Sequence, residues 1–121
     1  MKGYYLMPHP PLIIPQIGRG EEKKIESTIK ACTEIGRRIR ETAPDTVIII
    51  APHGMVFRDA VAVYTQEEIS GDLERFGAPG ISMSLETDTE LADLIIENAE
   101  KDGLAAVRIG SGAGNQYEDR A

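Results

Sequence analysis

The run TVIIIA, residues 46–51, contains five consecutive β-branched residues, Thr46 to Ile50, and no polar alternation. A strand with one wet face alternates apolar with polar, so an unbroken apolar run predicts a strand covered on both faces, as in a parallel sheet flanked by helices. The preceding sequence supplies the rest of such a unit. Residues 3–8 read as a short buried strand that stops at prolines, because proline donates no ladder hydrogen bond. Tyr4 and Tyr5 alternate across it, one toward the core and one toward a helix layer. Residues 9–20, with Pro10, Pro11, Pro15, Gly18 and Gly20, read as a loop. A helix is predicted over 21–42, with Ile25, Ile29, Cys32, Ile35 and Ile39 on one face, Glu21 and Glu22 at its positive end and Pro44 as its stop. Strand, helix, strand from 3 to 51 is a βαβ unit, which requires parallel strands whose C-terminal ends share one edge of the sheet.

Both of the chain's histidines fall at that edge. His9 closes the first apolar run in MPHPP, and His53 closes the second in APHG. With 7 prolines in 121 residues, chance places both histidines directly behind a proline in roughly one such chain in 300. Pro8, Pro10 and Pro52 restrict the backbone around each ring, and Gly54 lets another group approach His53 closely. Ligands of open α/β sheets bind at this edge. Stiffly presented imidazoles suit metal ligation or general base chemistry. The structural alternative is that each ring caps a strand end by bonding to backbone. Two histidines do not complete a metal site: non-haem iron centres add a carboxylate, and zinc hydrolases a third protein ligand. Asp59, Glu67, Glu68 and Glu86 are the available carboxylates, each with surface solvation as its default; Asp59, close behind His53, is the best placed.

Further along, 59–65 is predicted as a strand, 66–80 as a loop, and 81–86 as a strand with one exposed face. A second helix is predicted from Thr87, with a Thr87–Glu90 capping box, a stripe of Leu91, Leu94, Ile95 and Ala99, and an end at Gly103. Residues 104–109 read as a last strand. The expected fold class is α/β, a single domain over 1–121 with a mostly parallel or mixed sheet flanked by helices. The segment GSGAGNQYEDRA should lead into another element, so the chain reads as the N-terminal part of a larger α/β domain; a disordered tail on a complete small domain is the alternative. Its glycines miss the dinucleotide spacing and no P-loop lysine follows, so a loop is expected there.

Charge narrows the partners. Thirteen basic against twenty acidic side chains give a net charge of −7, which argues against nucleic acid. Arg37, Arg38 and Arg40 sit where cations meet the negative end of a helix. No apolar run nears the ~20 residues needed to cross a bilayer, and the proline-rich N-terminus does not read as a secretory signal. The single Cys32 lies on the helix stripe as a structural thiol and suits a reducing compartment, so a cytoplasmic protein is expected. No serine sits in a nucleophile-elbow pattern.

MPHPPLIIPQIG followed by PDTVIIIAPHG resembles the N-terminal half of the class III extradiol ring-cleavage dioxygenases, the family of the protocatechuate dioxygenase catalytic subunit, and is closest in pattern to the Memo-related branch. The resemblance covers most of residues 3–110. It implies non-haem Fe(II), or another divalent metal, held by His9 and His53, with a small catechol-like aromatic and O2 as substrates. The later glutamate ligand and the acid/base histidine of such enzymes have no counterpart in this sequence. A non-catalytic Memo-like metal- or protein-binding module is the alternative reading, and a metal-dependent hydrolase on the same scaffold is a third. A homo-oligomer is expected, because a partial α/β sheet leaves a strand edge or apolar face to cover.

Overall fold

The structure, a computed structural model, describes residues 2–110, and the chain divides into two units. The first comprises Met1–Val47 and Asp72–Ser82, the second Ile48–Gly71 and the described residues from Met83.

In the first unit the helix expected over 21–42 forms in two pieces, a 3-10 turn at Glu21–Ile25 and the α-helix α2, Glu26–Thr42. The expected loop before it is a series of proline-started turns: a 3-10 turn at Pro11–Ile13 and the short helix α1, Pro15–Gly18. Proline fits there because the first N–H of a helix has no partner to lose. Ala43 ends α2 in the left-handed region at φ 45°, its N–H donating to the Arg40 carbonyl at 3.1 Å, and Pro44 follows. Ile25, Ile29, Cys32, Ile35 and Ile39 are all half-buried, so the predicted stripe is the helix's protected face.

Residues 3–8, expected as a strand, form none among the described residues. They run alongside α2 in the opposite direction. Lys2 Nζ donates to the Thr42 and Ala43 carbonyls at 2.8 and 3.3 Å, while the Pro8 carbonyl meets Cys32 Sγ at 3.9 Å. Six residues reach at most ~20 Å, and the stretch of helix from Cys32 to Thr42 covers ~15 Å, so the segment spans that stretch as irregular chain and not as a strand. Tyr4 is 85% and Leu6 99% exposed, and neither Tyr4 nor Tyr5 reaches a core. Residues 46–51 likewise form no strand, and Val47 to Ile50 stay exposed. The parallel pair expected between these runs is therefore a correction. Apolar, β-branched sequence supplies propensity, but a strand also needs a neighbour whose backbone takes its hydrogen bonds. Neither run belongs to a strand ladder among the described residues.

The parallel pair lies in the second unit. β1, Val61–Tyr64, pairs with β4, Ala106–Ile109, in the register Val61↔Ala106 to Tyr64↔Ile109. The crossover that parallel strands require carries the rest of the chain between them. Glu68–Leu73 (β2) and Ala78–Glu86 (β3) form a hairpin through a 3-10 turn at Glu74–Phe76, where a loop was expected over 66–80. The sequence EISGDL hides this strand because both of its faces are largely exposed and so carry little apolar signal. Gly77, at φ 85°, closes the turn.

Helix α3, Thr89–Lys101, packs on β1 and β4. Its cap is Asp88, whose carboxylate accepts the Leu91 N–H at 2.9 Å, rather than the expected Thr87–Glu90 box. The Thr87 N–H instead donates to the Glu67 carbonyl at 2.9 Å, at the base of the hairpin. The buried face is also turned. Ala92 and Ile96 are buried, Leu91 and Ala99 half-buried, and Leu94 and Ile95 exposed. Gly103, at φ 78°, ends the helix as expected. Ile96 and Ile109 form the centre of this small core. The parallel pair, the hairpin and the helices together make an α/β structure with a mixed set of strands, the class the sequence implied. The expectations for the glycine-rich segment after Gly110 lie outside the described residues.

Candidate metal-ligating histidines

His9 lies in the first unit, on exposed chain held at both sides. Before it, Pro8 is set against Cys32 of α2. After it, Pro10 sits at φ −68° and ψ 134°, and its carbonyl accepts the Ile13 N–H at 3.1 Å, starting the first 3-10 turn. The ring thus projects from chain that proline geometry has already ordered.

His53 lies in the second unit and is half-buried, with Nδ1 enclosed by protein. Pro52 precedes it, and Gly54 follows at φ 86°, a conformation that side chains disfavour. The group that approaches Gly54 is Tyr64, from the C-terminal end of β1. A Cβ at position 54 would stand 2.5 Å from the Tyr64 hydroxyl oxygen, which also accepts the Met55 N–H at 3.4 Å. Sequence reasoning did not single out Tyr64. Its only signal was a tyrosine next to last in a predicted strand, since no spacing rule links it to a loop ten residues earlier.

The carboxylates do not complete a ligand set. Asp59, Glu67, Glu68 and Glu86 are exposed, and the Glu68 carboxylate accepts from the Ser84 hydroxyl. Among the described residues no three His, Cys, Asp or Glu side chains gather as a metal-binding group.

Elsewhere the charges pair locally. Arg37 donates to Glu34 at 2.8 and 2.5 Å and also to Glu41, and Arg38 donates to Glu34 at 3.1 Å. Hydrogen bonds from Arg37 and then Arg38 hold the Glu34 carboxyl down to about 2, and the same Glu34 contact pushes Arg37 up. Arg37 and Arg38 of α2 are thus engaged by carboxylates about one turn away on the same helix. Asp93 of α3 does the same for Arg108 of β4, raising its pKa.

The family described as the catalytic LigB subunit of aromatic ring-opening dioxygenase matches residues 3–115. Among curated proteins, Protein CA_C1420 of Clostridium acetobutylicum is 45% identical over 107 residues, which cover 88% of this chain and 23% of that protein. The chain thus spans about a quarter of the length of the curated relative it matches. No solved structure matches it.

Proposed function

The chain belongs to the family of the catalytic LigB subunit of aromatic ring-opening dioxygenase, and on that premise we propose that it provides His9 and His53 as ligands of a non-haem Fe(II) in an extradiol ring-cleaving enzyme. The substrates in this reading are a catechol-type aromatic and O2, and the pattern is nearest the Memo-related branch. The observation that carries the reading is the pair of histidines, each directly behind a proline at the end of an apolar run, within the segment that matches the family.

Two imidazoles are the nitrogen part of a two-histidine, one-carboxylate iron centre. Residues 2–110 supply that part and no grouped carboxylate, so they fit part of the ligand set and not the whole. The carboxylate ligand and the acid/base group are assigned outside these residues. When bound, the metal supplies Lewis acidity toward the catechol oxygens and an electron path between ring and O2.

The chain's own residues contribute placement and charge. Pro8, Pro10 and Pro52 order the backbone beside each ring before any ligand arrives, which lowers the cost of gathering the donors. Neutral imidazoles leave the metal's positive charge uncancelled. An anionic catecholate needs that local charge on a chain whose net charge is −7. The reading also takes the protein as cytoplasmic and self-associating.

Oxygen uptake by the Fe(II)-loaded protein on a panel of catechols tests the reaction. Uptake with a ring-opened product by a protein that combines this chain with the carboxylate and acid/base groups, lost in His9→Ala and in His53→Ala, is the expected result. Fe(II) binding with no uptake on any catechol would leave a metal-binding module without turnover.

A further inference from the structure

We propose that Tyr64 is a positioning residue for His53: its hydroxyl latches the His53–Gly54–Met55 turn to the end of the β1–β4 ladder and so sets where the imidazole stands. The functional weight of this latch rests on reading His53 as a metal ligand, but its geometry does not.

Tyr64 is itself well held. It is the last residue of β1, in register with Ile109, which is 3% exposed. The next residue ties the same point twice: the Thr65 N–H and hydroxyl donate to the Ile109 carbonyl at 2.9 and 3.4 Å. From this anchor the phenol reaches back across the loop. Its oxygen accepts the Met55 N–H at 3.4 Å and fills the space in front of Gly54, 2.5 Å from where a Cβ would lie.

Gly54 therefore answers two demands. Its φ of 86° is strained for any side chain, and the hydroxyl occupies the only direction a side chain could take. The next nearest atom, the ring carbon bearing the hydroxyl, is 3.5 Å away, an ordinary contact. The hydroxyl oxygen alone makes the approach tight. A tyrosine that merely filled space would be replaced by phenylalanine without consequence for the turn. Pro52 restrains the turn on one side of His53 and the Tyr64 latch on the other, so the ring has ordered backbone both before and after it.

The test uses the full chain, whose two histidines give separately assignable ring signals by NMR, identified with His9→Ala and His53→Ala. Tyr64→Phe, with its melting temperature monitored, is expected to shift or broaden the His53 ring signal and leave the His9 signal in place. Gly54→Ala should disturb the His53 signal more, and adding Tyr64→Phe to it should recover part of that disturbance by removing the oxygen that the new Cβ meets. Co(II) titration supplies the functional arm: Tyr64→Phe should weaken binding about fivefold, the factor for one modest hydrogen bond, and His53→Ala should abolish it. An unchanged His53 signal in folded Tyr64→Phe, or no recovery in the double variant, overturns the proposal. Co(II) affinity unaffected by His53→Ala overturns the metal reading instead, while the ring signals still decide the latch.

Discussion

Helix α3 offers a direct contrast between two positions that the sequence ranks one way and the structure the other. Leu94 belongs to the stripe expected from apolar spacing, yet it is 47% exposed; Ile96 lies off that stripe and is 2% exposed. Substituting alanine deletes three carbon groups at either site. At about 0.8 kcal/mol per buried group, a fully buried side chain loses about 2.4 kcal/mol of transfer free energy. The cavity left by Ile96→Ala raises its cost to about 3 kcal/mol, because the parallel pair beneath α3 cannot fully close over it. Leu94→Ala loses roughly half the transfer term, about 1.2 kcal/mol, and leaves no enclosed cavity, since solvent already reaches the site. Equilibrium urea unfolding of both variants reads the difference as a shift in midpoint at constant slope. A loss for Leu94→Ala equal to or larger than that for Ile96→Ala would refute the placement of α3 on β1 and β4. The consequence reaches the candidate site, because this packing steadies the ladder end from which Tyr64 meets the His53 loop.

Two other outcomes follow from charge and from exposed apolar chain. The Glu34 carboxyl is held down to about 2 by Arg37 and Arg38, so its contribution to folding is complete above its unfolded value and fades as pH falls through the interval from about 4.5 to about 2. The contribution is small because the pair is solvent-exposed. Circular dichroism melts of Glu34→Gln and the unsubstituted chain should differ at neutral pH and converge near the bottom of that interval; a gap that widens on acidification contradicts the pairing. Self-association is the second outcome. Tyr4, Leu6 and Val47 to Ile50 are exposed without ladder partners among the described residues, and light scattering should show oligomers that an aspartate at Leu6 or Ile50 reduces. A monodisperse monomer would contradict it.

Periodicity made the helices legible. The spacing of Ile25, Ile29, Cys32, Ile35 and Ile39 located α2 and its protected face, and Gly103 marked the end of α3. Local chemistry alone could not choose between Thr87 and Asp88 as the cap of α3, because both can accept a backbone N–H. That choice was made by the hairpin, which takes the Thr87 N–H for Glu67. The runs at 3–8 and 46–51 show the opposite limit: composition signals a buried strand, but pairing is a property of two segments. Both candidate histidines were visible because proline beside histidine is a local signature. Tyr64 was not, since its relation to Gly54 exists only once β1 has been placed against the loop.

An anaerobic Fe(II) titration of this chain beside the His9→Ala/His53→Ala double variant tests the central claim most directly. The account predicts one-to-one binding by the unsubstituted chain and its loss in the double variant, with both proteins folded. Equal binding by both, or none by either, would contradict the assignment of these two histidines as the chain's metal ligands.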